Sequence, residues 1–363
     1  VKQQPLRAAI RAPFRGLPRS LLLSLPTALL CALPVMFGLS GSAASKAAKP
    51  QPSGVLLAAN EKEGTLSIID PVRNRRIAKI AEGGFAGHEV AASPDGRFAY
   101  VPIYGDGNAG TPGTDGQEVI TLDLASQKVV GHYRFDHGVR PHAVVFNRRD
   151  GLLYVTSELD RTVSIIDPTT MTRVGAIPTG QALSHMLVIS HDGRFGYTSN
   201  IEPGSVSVLD MKARTLLDVV PVSAKAQRIA ISADDRLIFT TDQTEPRIAV
   251  VDTTMRKVTS WIPLPAVGMG LTTTADGRWL LVAIEPTSQL AVVDLNTLLV
   301  VRTLQLPQYP HETVLSPDGN TAYVSCSVTG EVVAVDTHHW TVTGKVESGP
   351  FVDGLAWAPG AVR

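Results

Sequence analysis

The stretch GLLYVTSELDRTVSIIDPTTMTRVGAIPTGQALSHMLVIS, residues 151–190, decides the fold. It holds four short runs rich in β-branched residues, GLLYVTS, TVSIID, RVGAI and HMLVIS, separated by Asp-Pro and Gly turn signals. Outward from it, the run ending at Asp167 recurs as LSIID at Asp70, VITLD at Asp123, VSVLD at Asp210, IAVVD at Asp252, LAVVD at Asp294 and VVAVD at Asp336. From Asp210 onward the spacing is 42 residues, and 13 residues upstream of each Asp stands Leu57, Tyr154, Tyr197, Phe239, Leu281 or Tyr323. Tyr100 alone is displaced, 23 residues before Asp123, so that unit carries a ten-residue insertion within Ile103 to Glu118. Four strands per unit of about 40–45 residues is the spacing of a propeller blade. No sustained helical period appears, so essentially no helix is expected.

The ends of the repeat specify closure. VLLAA after Gly54 corresponds to a second strand and GLAWAPG near the C-terminus to a first strand, with Pro359 lying 42 residues after Pro317. The expectation is an all-β, seven-bladed β-propeller over residues 54–363, with four antiparallel strands per blade and a three-plus-one ring closure that leaves no sheet edge open between first and last strands.

The 33 basic and 33 acidic residues of the 363 are unevenly placed. Lys2, Arg7, Arg11, Arg15 and Arg19 precede an apolar run over residues 21–39, followed by Ser42 and Ala44. This reads as a signal peptide over residues 1–44 and a linker over 45–53, placing the mature chain in the periplasm or outside the cell. An uncleaved membrane anchor is the alternative, because the run approaches the length of a span. Without the signal, 28 basic residues face 33 acidic ones, which excludes a dedicated nucleic-acid binder. Cys31 leaves with the signal, so Cys326 cannot form an internal disulfide. A monomer with no membrane span after cleavage is expected.

The YVTS, VSIID and SPDG segments resemble the YVTN family of seven-bladed β-propellers, exported bacterial proteins of mostly unassigned function. Looser likeness extends to the propellers of cytochrome cd-type nitrite reductases, to proteins of that haem's biosynthesis and to lactonase-like propellers. The resemblance implies the fold and says little about activity. Repeating Gly-His/Trp-Asp or double-Gly signatures of other propeller families are absent.

A residue found in every blade serves the blade. The seven Asp therefore read as Asx-turn residues accepting backbone N–H groups. A register whose residue type varies points to the axis instead. Twelve residues before each strand anchor stand His88, His142, His185, Gln227, Met269 and His311, and the 42-residue step adds Asp353. These seven are expected to surround one mouth of the central channel. Three readings of the arc stay open: a transition metal, Zn or Cu, held by His88, His142, His185 and His311; a polar organic ligand; or rings that merely bond backbone carbonyls. Glu89 and Glu312 are candidate orienters of the neighbouring His. The insertion, with Asp106, Asn108 and Asp115, is a candidate lid. Gly105, Gly107 and Gly110 spell GxGxxG, but no helix follows and no dinucleotide site is read. Cys326 reads as a buried small hydrophobe.

The function expected is ligand binding or protein interaction in the cell envelope, with an unknown small molecule or envelope protein as partner. Alternatives are a metal-dependent, lactonase-like hydrolase or a redox-cofactor-binding enzyme at the same mouth, and a non-catalytic scaffold.

Overall fold

The structure, a computed structural model, describes residues 53–360 apart from residue 86; the expected signal peptide over residues 1–44 and the expected linker through residue 52 lie outside the described residues. Seven four-stranded antiparallel sheets form, each one blade. The stretch that decided the fold supplies the outer three strands of the third blade, Leu152–Ser157, Thr162–Asp167 and Thr172–Pro178, whose inner strand is Pro141–Asn147; its last run becomes the inner strand of the fourth blade, Ser184–Ile189. The first blade is assembled from both ends of the domain: Val352–Pro359 pairs with Gly54–Asn60, followed by Thr65–Asp70 and Arg75–Ala81. Closure is therefore three-plus-one, with Val55 opposite Ala358 and Leu57 opposite Ala356. Helix is confined, among the described residues, to two three-residue 3-10 turns, Glu61–Glu63 and Glu285–Thr287.

The repeated residues do the repeated work. Leu57, Tyr100, Tyr154, Tyr197, Phe239, Leu281 and Tyr323 are all buried on second strands. Between the fifth and sixth blades, for example, Phe239, Ile248 and Val250 pack with Leu280, Val282 and Ala291. Outermost strands such as Lys128–Arg134 alternate exposed and half-buried residues, because only one of their faces meets a neighbouring blade. Each of the seven Asp accepts a backbone N–H two or three residues on, as Asp252 does from Thr254 and Met255 and Asp336 from His338 and His339. Asp70, Asp123, Asp167, Asp210 and Asp294 do likewise. The turn between first and second strands is also repeated: a Ser or Thr hydroxyl meets an Asp carboxylate in Ser93–Asp95, Ser190–Asp192, Ser232–Asp234, Thr274–Asp276 and Ser316–Asp318.

The innermost strands are less uniform. They run six to eight residues in five blades but shrink to Ala91–Ala92 in the second and Leu271–Thr273 in the sixth. Cys326 ends the second strand of the seventh blade, fully buried, and burial pushes its thiol up to about 12. A thiol held protonated is no nucleophile.

Candidate functional site

All seven residues of the variable register line one cavity of about 410 Å³ at the channel mouth. His142, His185 and His311 sit at the starts of inner strands, whereas His88 and Met269 lie just before the two shortened ones. Four of the register residues follow, by two positions, a non-glycine residue in the left-handed region: Arg140 (φ 50°), Leu183 (48°), Tyr309 (61°) and Phe351 (53°). Such backbone is costly for side chains with a Cβ and persists where surrounding structure fixes it.

Pairing of the inner strands with their neighbours slips at this register, between Pro141 and Val144, Ser184 and Met186, Ala226 and Ile229, and Pro310 and Thr313. A bulge breaks the two-residue alternation, so a register residue and its successor can both turn inward. Gln227 and Arg228 do so, both lining the cavity. This produces the central feature that the sequence reading missed. Arg228, 1% exposed, bonds Glu89 (Nη1 to Oε1, 2.5 Å), Glu312 (Nη1 to Oε2, 2.7 Å) and Asp353 (Nη2 to Oδ1, 3.1 Å). Glu89 and Glu312 thus bond Arg228 rather than orient their neighbouring His.

The His orienters come from another register. Four residues past each strand anchor stand Glu61, Tyr104, Glu158, Ile201, Gln243, Glu285 and Ser327. Glu158 Oε1 accepts from His185 Nδ1 at 2.5 Å while its Oε2 accepts from the Tyr104 hydroxyl at 2.7 Å. With Nδ1 committed to Glu158, Nε2 is the His185 ring nitrogen left for another partner. Glu285 Oε1 holds His311 Nδ1 at 2.5 Å. His311 Nε2 lies 3.1 Å from Asp353 Oδ1 and 2.7 Å from Arg228 Nη2, so that one carboxylate oxygen draws both cations together. Two of the rings, His185 and His311, bond carboxylates and not the backbone carbonyls that one reading anticipated.

Charge follows from burial and these partners. Burial alone would lower His311, but Asp353 and Glu285 outweigh both it and the opposing Arg228, and the imidazole is pushed up to about 10. Burial holds His88 below its ordinary value and His142 well below, the latter helped by His185 and His88. Burial likewise raises Glu89 to about 8 despite Arg228, and raises Glu312. Asp353 resists its own burial because His311 and Arg228 hold it far below the carboxylate range. Neutral His142 stacks on His185 with ring centres 3.6 Å apart, and its Nδ1 is buried without a partner.

The expected four-His ligand set is not what the rings offer. His311 has both nitrogens engaged, and His185 commits Nδ1 to Glu158. Among the described residues, the donors close enough to share an ion are Glu61, His88 and Asp353. The insertion forms the hairpin between Phe98–Gly105 and Asp115–Asp123, and Asn108 reaches the cavity wall. Asp106 and Asp115 shape that loop instead: Asp106 accepts the backbone N–H and hydroxyl of Thr114, and Asp115 accepts from Arg140 Nε at 2.5 Å. Arg140 also donates to the Asn108 carbonyl at 3.1 Å, pinning the loop to the rim.

Residues 148–270 match the family described as the cytochrome D1 heme domain. That match holds His185, Gln227, Arg228 and Met269, and leaves His88, His142, His311 and Asp353 outside it. No curated protein matches the chain. Among solved structures, the hydrazine synthase of Kuenenia stuttgartiensis is 17% identical with a TM-score of 0.66, covering 81% of this chain and 98% of its own. A protein of Desulfotomaculum acetoxidans DSM 771, described as functionally unknown, is 14% identical with a TM-score of 0.69, covering 85% of this chain and 100% of its own. At such identities the likeness is one of fold, and what it establishes is that the chain is a seven-bladed β-propeller.

Proposed function

We propose that this chain is an exported β-propeller of the YVTN type that captures a small ligand or cofactor at its His-lined mouth. The observation that carries the reading is the convergence of His88, His142, His185, His311 and Asp353 on one cavity that the inserted loop also reaches. Concave sites lined by a few convergent polar groups are where small molecules bind. The ligand class follows from charge. Glu61, Glu158, Glu285 and Asp353 outnumber the cationic Arg228, Lys225 and His311, so the mouth favours a ligand with positive charge or metal character. Export to the periplasm rests on the basic-then-apolar N-terminal segment. Native mass spectrometry of the purified mature chain is expected to show a bound species, and the His142→Ala/His185→Ala double variant to lose it. Identical bare masses for both proteins, with no thermal shift from divalent cations or organic ammonium ions, would sink the reading.

The family match over residues 148–270 favours a second reading, a haem. An iron tetrapyrrole asks for an axial donor, apolar faces and partners for its carboxylates. His142, with its unpartnered Nδ1, meets the first demand. The remaining demands are not met: Ile201, Met269 and Ala109 are the aliphatic wall, Arg228 is saturated by three carboxylates, and Arg140 is held by Asp115. The residues present do not fit a haem. Titration with haemin should therefore give no saturable Soret shift; a shift abolished by His142→Ala would reinstate the haem.

A further inference from the structure

We propose that Glu61, His88 and Asp353 bind a divalent first-row metal ion at the seam where the ring closes, a proposal that rests on the mouth being the binding site. The three residues come from three places in the chain. Glu61 opens the 3-10 turn that follows Gly54–Asn60, Asp353 lies on the C-terminal strand Val352–Pro359, and His88 leads into the second blade. Asn60 is paired with Val352, so Glu61, one residue past its strand, and Asp353 stand side by side at the end of the closing blade.

One donor atom from each residue lies within 4.8 Å of the other two. His88 Nδ1 stands 3.7 Å from Asp353 Oδ2, which is too long for a hydrogen bond. Two donors each about 2.0–2.2 Å from one ion stand no more than about 4.4 Å apart, so a slight tightening completes the triad. Asp353 is already aimed for this task. Its Oδ1 is occupied by Arg228 and His311, which leaves Oδ2 toward His88 and fixes the carboxylate plane. That is the outer-shell support a ligating carboxylate ordinarily has. Among the described residues, no hydrogen bond joins the Glu61 carboxylate or the His88 imidazole to another side chain. A separate observation points the same way: His142, 1% exposed and on the same cavity wall, has a buried Nδ1 with no partner and packs edge-on to His88 at 5.5 Å.

The donor set selects the ion. Two carboxylates and one imidazole suit Mn²⁺, Fe²⁺, Co²⁺ or Zn²⁺ and disfavour Cu(I), which seeks sulfur. Three protein ligands leave coordination positions directed at the cavity, where a ligand of the mouth would complete the shell. Because Glu61 and Asp353 belong to the two chain ends and His88 to the next blade, the ion also ties the closure together. Metal should therefore raise thermal stability as well as bind.

The test uses the mature chain, freed of metal by chelator and titrated with ZnCl₂ or MnCl₂ in a calorimeter and by thermal melting. One saturable site and a rise in Tm are expected. Glu61→Gln and His88→Gln should each weaken the affinity at least tenfold and abolish the Tm rise, whereas His191→Gln, at a surface ion pair with Asp235, should change neither. Asp353→Asn is left aside because it also breaks the Arg228 cluster. Absence of saturable binding at millimolar metal, or binding unchanged in both Glu61→Gln and His88→Gln, overturns the site. If metal binding fails while a species lost from the His142→Ala/His185→Ala variant is still seen in native mass spectra, the metal site falls and the ligand-binding mouth stands; if both fail, both fall.

Discussion

The two faces of the ring are built from the same repeat and used in opposite ways. On the face away from the mouth, the third strand of every blade ends in an Asp making the same bonds to the turn backbone, as at Asp70, Asp210 and Asp252. At the mouth, one register position carries His, Gln, Met or Asp according to the blade, and a second carries Glu, Tyr, Ile, Gln or Ser. A position that must satisfy the same turn seven times tolerates no variety. A position facing the channel axis does nothing for its own blade, so its residue is free to differ. The face that varies has also accumulated the buried charge, with Arg228 held by carboxylates from three other blades.

The harshest break of this contrast is Arg228→Met. Removing one partner of a buried ion cluster leaves carboxylates without compensation, at a cost of about 3–5 kcal/mol. Urea denaturation should show that loss, and adding Glu89→Gln to the variant should recover part of it. A cost under about 1 kcal/mol, the level of an exposed ion pair, would mean that the cluster is not what holds these blades around the axis.

A milder test leaves the cluster intact and titrates it. Burial raises Glu89 from 4.5 to about 8 against the pull of Arg228, so the folded chain binds that proton more tightly than the unfolded chain does. Stability tied to the proton is present at low pH and lost as the pH rises through about 8. His311, raised to about 10 by Asp353 and Glu285 against its burial and Arg228, acts in the same direction over a higher range. Glu82, raised to about 7 by burial, also acts this way but is nearly spent above that pH. His88 and His142 are lowered by burial, and their opposite contribution is complete once the pH exceeds their ordinary 6.5. Thermal midpoints should therefore fall between pH 7 and 9. Glu89→Gln, which keeps an oxygen for Arg228, should flatten the lower part of that fall. An unchanged slope would show that Glu89 is ionised throughout.

What was legible in the sequence divides along the same line as the two faces. The blade count, the closure and the turn role of Asp252 could be read because each rests on a local pattern stated seven times. The ring of His88, His142, His185, Gln227, Met269, His311 and Asp353 could be read because it shares a register, although a register does not say what each ring bonds. Arg228 was hidden by the bulge that follows Ala226: strict alternation sends the residue after Gln227 away from the axis, and the slipped pairing turns it back. Glu61, Glu158 and Glu285 carried a usable signal, a fixed step of four from Leu57, Tyr154 and Leu281. Second strands were read only for their anchors, so that step went unread. Long-range pairings such as Arg228 with Glu89, 139 residues apart, leave no local trace.

The smallest expected effect belongs to the invariant face and completes the comparison. In Asp252→Ala the carboxylate that accepts from Thr254 and Met255 is lost. Those N–H groups sit at exposed turn residues, so water replaces the side chain and the net loss should be about 1 kcal/mol or less. The backbone bond from Arg256 N–H to the Asp252 carbonyl survives the change and keeps the turn closed. Because the turn lies at the far end of the blade from Arg228, the pH slope between 7 and 9 and the metal response of the mouth should match those of the parent. If this change altered either one, the faces would not be independent, and the division of the repeat into a fold-bearing end and a ligand-bearing end would fail.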